Sequence, residues 1–278
     1  MKLRRKAPDE FDRVWPLTSP LLSLTGRRGE DWCIADACQH ALVLGATGSG
    51  KTSGSICHVG RSYMHAGFGG LVLCAKPGDA KQWVEWAARS GRLSSVIVID
   101  ASGKYRLNLF DYLLSGPADR GGGLVDNIVQ VLMQILQAGQ GIAEQAEGND
   151  FWKHAMRELL SNAIAAIYHA HKRVTLDEVF KLITSIPKSD EQMRDAGFKE
   201  WSYCYQTCKK LFESPAIWLP DREVQHIVNY FGQTMGQLDP KTRSNILSTV
   251  SAQLSLFQKG PLHTLFCTDT TIIPRSHA

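Results

Sequence analysis

No stretch of the chain offers the roughly 18 consecutive apolar residues that a membrane-spanning helix needs. The basic cluster Lys2, Arg4, Arg5 and Lys6 is not followed by an apolar segment, which argues against a secretory signal. That cluster suits a solvated tail, with DNA or lipid headgroups as the alternative contacts. Neither an internal repeat nor a low-complexity tract is evident. Charge of one sign is also scarce. A net +4 over 278 residues is compatible with a nucleic-acid partner without demanding one. The seven cysteines are odd in number and do not resemble a disulfide framework, so the expected compartment is the cytosol. Cys33 with Cys38, and Cys204 with Cys208, each lack the two further ligands of a tetrahedral metal site. They read as small apolar residues.

The chain is otherwise an ordinary globular one, 44% hydrophobic and 21% charged, with enough apolar residues for a core. Its most specific feature is Gly45-Ala46-Thr47-Gly48-Ser49-Gly50-Lys51-Thr52, followed by Ser53. These residues fit Gly-x-x-x-x-Gly-Lys-Ser/Thr, the P-loop. The spacing has a chemical reason. Glycines allow a tight bend with no Cβ between backbone and phosphate. Successive N–H groups, aided by the positive end of a following helix, then hold the anion. Lys51 is expected to neutralise the β- and γ-phosphates of ATP, and Thr52 to give its hydroxyl to Mg²⁺. The bland alternative is a glycine-rich turn with a lysine by chance.

The flanks support the first reading. Ala41–Leu44 is continuously apolar, as a buried parallel strand would be, and 51–65 suits a helix. Two similar apolar runs follow, Leu71–Cys74 and Val96–Ile99, separated by a helical stretch over 80–90 that Asp79 could cap. The order βαβαβ predicts a parallel sheet with the P-loop, Lys76 and Asp100 at the carboxyl ends of its strands. Asp100 has two readings: a carboxylate on the Mg²⁺ side, or the cap of the turn Ser102-Gly103-Lys104.

From about 120 the period changes to that of helices. Leu124 to Leu136 and Trp152 to Ile167 carry apolar stripes, with Asn149 or Asp150 as a cap for the second. Thr175-Leu-Asp-Glu178 reads as a capping box, and the helix it opens is stopped by Pro187. Residues 190–213 suit one or two helices broken near Gly197, and 221–231 another. Pro240 opens a further helix over 241–256. Leu262–Cys267 and Thr271–Ile273 read as short strands. Trp201, Tyr203 and Tyr205 could stack on bases, although helix packing is the plainer role. Lys209, Lys210, Arg222 and Lys241 are candidate DNA contacts by charge alone.

Four stretches carry a family resemblance: Ala41–Ser53, the run ending at Lys76, Phe151-Trp152-Lys-His-Ala-Met-Arg-Glu-Leu-Leu160, and Thr242-Arg243-Ser-Asn-Ile-Leu-Ser-Thr249. Together they resemble coupling proteins of the TraG/TraD type, motor ATPases of conjugation and type IV secretion in the FtsK/HerA group. The resemblance spans about residues 38–275. It implies an α/β fold, a RecA-like parallel sheet with an inserted all-α domain. The matching division is a lead-in over 1–29, a first part of the nucleotide-binding core over 30–118, a helical insertion over 119–235 and a return to the core over 236–278. It further implies a homo-hexamer, single- or double-stranded DNA as cargo, relaxosome and other secretion proteins as partners, and a place at the inner membrane through those partners.

The chain departs from the family at Ala75-Lys76-Pro77-Gly78-Asp79, where Asp-Pro-Lys-Gly-Glu is usual. The family also carries a Walker B strand with paired acids after the last helix. The chain ends first, so the expectation is an incomplete sheet truncated before Walker B. Two functional readings follow: the ATP-binding part of a DNA-translocating motor, or a catalytically incomplete nucleotide-binding fragment that docks on a partner or is inactive. A small-molecule kinase is a weaker third, since no lid or substrate arginines are recognisable.

Overall fold

A computed structural model describes residues 16–27, 29–114, 125–138, 150–213 and 220–272. The expected cap at Asn149 lies outside them. The chain separates into two compact units, 1–98 and 99–278.

In the first unit, β1 (Pro20–Ser23) pairs antiparallel with β2 (Asp31–Cys33), with Leu22 opposite Trp32. A short helix α1 (Ile34–Ala37) follows directly, and the Asp36 carboxylate accepts from the Cys33 N–H at 2.8 Å. After the glycine-rich loop, a π-turn over Thr52–Ile56 runs into α2 (Cys57–His65), and α3 spans Pro77–Arg89. Lys76 occupies the N-cap position of α3, whereas Asp79 lies inside its first turn and caps nothing. The two helices meet at Gly60. A Cβ there would stand 2.7 Å from the Trp83 ring, so the absence of a side chain permits the approach. Trp83 in turn meets Trp86 edge to face at 5.0 Å.

The expected RecA-like parallel sheet is not formed. Among the described residues the sheet is two-stranded and antiparallel. The runs Ala41–Leu44, Leu71–Cys74 and Val96–Ile99 take part in no strand pairing. Leu42, Leu44, Leu71 and Leu73 are 80 to 86% exposed, the reverse of buried-strand behaviour. A continuous apolar run of four residues records only a preference for burial. It becomes a strand when a neighbour supplies the ladder. Here α2 and α3 pack on one another through Gly60 and Trp83, and no parallel strands lie under them.

The second unit is helical. Its elements are α4 (Leu109–Leu114), α5 (Val125–Ala138), α6 (Asp150–His171), α7 (Leu176–Thr184), α8 (Asp190–Arg194), α9 (Ala196–Trp201) and α10 (Tyr203–Glu213). Then come α11 (Asp221–Asn229), a π-turn over Tyr230–Thr234, α12 (Met235–Gln237), α13 (Pro240–Ser255) and α14 (Gly260–Phe266). At the centre lies α6, against which α5, α7, α10, α11 and α13 pack. Leu159, Leu160, Ala163, Ile164, Ala166 and Ile167 are all fully buried, so this helix is apolar around more than one face, as a core helix must be. Each such leucine or isoleucine contributes about 1.5–3 kcal/mol by leaving water. Ile246, Val250 and Leu254 of α13 join the same core.

Asn108 is the buried polar tie of this unit. Its amide donates to the Val174 carbonyl at 2.8 Å and to Asp111 at 3.0 Å, while its side-chain oxygen accepts from the Phe110 N–H at 3.2 Å. Thr270 completes the knot by donating to Asp111 at 2.7 Å. Arg243 is buried too, and its guanidinium donates to the carbonyls of Pro187 and Lys188. The segments expected as strands near the end differ. Leu262–Cys267 falls largely within α14, and Thr271 donates its N–H to the Arg106 carbonyl without forming a strand. Residue 273 lies outside the described residues. No helix among the described residues is long and apolar enough to cross a membrane.

Candidate functional site

The loop over residues 45–52 folds as a bend at the head of a helix. Gly48 and Gly50 take φ values of 81° and 80°, the left-handed region that favours glycine. Gly45 is held for a different reason. A Cβ on it would lie 2.5 Å from the Ser49 hydroxyl and 3.2 Å from the Lys51 side chain, so those side chains would have to shift to admit one. The Ser49 N–H donates to the Ala46 carbonyl at 3.2 Å, fixing the turn. Beyond it, Gly54 donates to the Gly50 carbonyl at 2.7 Å and Ile56 to the Lys51 carbonyl at 3.0 Å. The helical N-terminus therefore begins within the loop itself, bringing its positive end there.

Lys51 reaches back over the bend. Its ammonium donates to the carbonyls of Gly45 at 2.5 Å and Ala46 at 2.6 Å. The seven residues from Gly45 to Lys51 are thus closed into a ring by one cation. The hydroxyl of Ser53 donates to the Gly50 carbonyl at 3.3 Å. Ala46, Thr47, Gly48, Ser49 and Gly50 are exposed, as are Thr52 and Ser53, so the outer face of the ring is open to a solute. A Cβ-free cradle with an ammonium across it suits a phosphate group with its metal counter-ion. The lysine would exchange two neutral carbonyls for charged oxygens, the stronger kind of hydrogen bond.

The other predicted residues are not gathered around it by a sheet, because that sheet is absent. Asp100 belongs to the second unit. Its carboxylate accepts from the Ser102 N–H at 3.0 Å and the Ser102 hydroxyl at 2.5 Å, and these bonds hold its carboxyl below the usual carboxylate range. The turn-capping reading of Asp100 is the one its hydrogen bonds match. Lys209 pairs with Glu213 at 3.8 Å on the surface of α10, and Lys210 reaches His171 Nδ1 at 3.3 Å. Tyr203 stacks on His171, with ring centroids 5.6 Å apart. Tyr205 lies under the Lys199 ammonium, and Trp201 packs edge to face on Phe198 while remaining largely exposed.

Two cavities of the helical unit lie outside the sequence expectations. A polar cleft of about 610 Å³ runs between α5, α6 and α11, with His154, Arg157, Glu158, His169, Glu223 and His226 on its walls. Burial, then the charge of Lys172, pushes the His169 imidazole pKa down, and Glu223 works against both. The signal in the sequence is polar spacing: His154, Glu158 and Ser161 recur at four and three along α6, with His169 about two turns further on. Among the described residues, no group of three or more His, Cys, Asp or Glu is placed to hold a metal ion. The second cavity, of about 350 Å³, is apolar and is bounded by α8, α10 and the π-turn after α11.

No family model matches the chain, and comparison with curated proteins and with solved structures gives no match either.

Proposed function

We propose that residues 45–52 bind the phosphates of ATP with Mg²⁺, and that the chain is the ATP-binding part of a DNA-translocating coupling ATPase. The observation carrying the first half is the closed bend. A P-loop sequence stands at the head of a helix, with both left-handed positions filled by glycine and Lys51 folded across the opening. Lys51 supplies the charge, the loop amides orient the phosphates, and Thr52 would hold the Mg²⁺, which neutralises phosphate oxygens when bound. The second half rests on the resemblance to TraG/TraD-type proteins, with DNA as cargo.

The experiment is calorimetry with MgATP on the full chain and on Lys51→Ala. The substitution should weaken binding about tenfold or more, equivalent to about 1.4 kcal/mol. Equal affinities would remove the site.

The docking-fragment reading keeps a place because of one observation. Leu42, Leu44, Leu71 and Leu73 stand exposed outside any helix or strand, a surface of the kind that packs against a partner. Steady-state ATP hydrolysis with and without single-stranded DNA separates the two. Turnover by this chain alone, raised by DNA, supports the motor. Binding without turnover supports the fragment.

A further inference from the structure

The apolar cavity of the helical unit is lined by three sulfur-bearing residues. Cys204 and Cys208 sit one turn apart on α10, and Met193 comes from α8. Both cysteines are free; Cys204 is 1% exposed and Cys208 is half-buried. The methyl tip of Met193 lies against Gly232, on the same wall, where an added Cβ would meet it at 3.7 Å. The remaining walls include Val228, Phe231 and the ring of Phe212, and Phe212 is exposed at the mouth.

The chemistry of this set narrows what it can take. A disulfide is disfavoured, because Cβ atoms four residues apart on a helix stand about 5–6 Å from each other, whereas the bond needs about 3.5–4.5 Å. Tetrahedral zinc needs four ligands of the nitrogen, oxygen or thiolate kind, and no third such group converges here. Two thiols and a thioether are soft donors, and a soft cation content with two or three ligands is what they select. An ion between the sulfurs bridges the gap that a direct bond cannot.

We infer that this cavity is a monovalent copper site, with Cu(I) bridged by Cys204 and Cys208 and approached by the Met193 thioether. Each thiol that becomes a ligand gives its proton to solvent. The copper remains Cu(I), and no electron changes hands. Half-buried Cys208 is the entry ligand, and the apolar walls keep water from the ion.

The test uses the full, reduced chain without oxygen. Cu(I) is supplied from a chromophoric chelator, and protein cysteines are then alkylated. Cleavage after Lys199 and Lys209 yields the peptide 200–209, which contains both cysteines, so protection is read on one fragment. One chelator-competitive equivalent of Cu(I) should slow alkylation of that peptide relative to the copper-free chain and leave alkylation of the other cysteines unchanged. Cys208→Ser should lose that equivalent, and Met193→Leu should weaken it while leaving the helical circular dichroism unchanged. Failure of the unmodified chain to take copper from the chelator would overturn the site. So would protection falling on other cysteines, or uptake unchanged in Cys208→Ser.

Discussion

Lys51 donates its ammonium to the carbonyl of Gly45 at 2.5 Å, closing the glycine bend on itself. The same side chain is the one that would stabilise phosphate charge, so the loop holds its cation where an anion would arrive. The arrangement depends on the bend staying narrow. Gly48→Val would force a β-branched residue into a φ of 81°, the left-handed region that favours glycine. The expected result is loss of measurable MgATP binding by calorimetry, with the helical content of the chain unchanged.

Packing of α2 on α3 depends on Gly60. Gly60→Val places a branched side chain against the Trp83 ring, which stands 2.7 Å from a bare Cβ. Overpacking of this kind costs about 1–3 kcal/mol. Amide hydrogen exchange should accelerate through 57–65 and 77–89, and exchange in α6 should be unaffected.

In the helical unit, Asn108→Ala removes the donor to the buried Val174 carbonyl and the acceptor for the Phe110 N–H. Leaving buried polar groups unpaired costs about 1–3 kcal/mol for each. Urea denaturation followed by circular dichroism should show a lowered midpoint with an unchanged slope. Asn108→Asp should recover less than full stability, since a carboxylate cannot donate to Val174.

The stability of this unit should also depend on pH. Burial first, then neighbouring lysines, depress the pKa of His169 and of His171. The unfolded chain therefore takes up protons at these imidazoles at a higher pH than the folded one does. Their contribution is fully present above the ordinary histidine value of about 6.5 and is lost as pH falls through it. The urea midpoint should fall between pH 7.5 and about 5.5. Lys210→Ala should lessen the His171 part, because Lys210 is one of the charges holding that imidazole neutral. A midpoint that rises on acidification would contradict this account.

The helices were legible where apolar spacing and end signals agreed. Trp152 to Ile167 lies within α6, and Pro240 opens α13 with Asp239 capping it. At Thr175 the hydroxyl accepts from the Glu178 N–H, as a capping box requires, but the Glu178 carboxylate accepts from the Thr175 hydroxyl rather than from its backbone N–H. The segment 190–213 breaks twice, at Asp195, two residues before Gly197, and at Ser202, because side chains decide the breaks. Asp195 accepts from the Phe198 N–H, and Ser202 bonds both the Ser185 carbonyl and the Tyr205 N–H. The strands were the failure. Runs such as Leu71–Cys74 say that burial is favoured but not what supplies it, and Leu262–Cys267 satisfied the same preference largely as a helix. At the candidate site the glycine pattern was readable because the left-handed geometry at Gly48 and Gly50 strongly favours glycine. The clasp of Lys51 on Gly45 and Ala46 was not, since it depends on the folded path of the loop. The three-sulfur cavity was half readable: Cys204 and Cys208 show their spacing, but Met193 reaches them only through the fold.

The most direct measurement of the central claim is calorimetric titration of the full chain with MgATP beside the same titration of Lys51→Ala. Saturable binding at one site, weakened about tenfold or more by the substitution, is the predicted result. Indistinguishable isotherms, or no heat of binding from either protein, would contradict it.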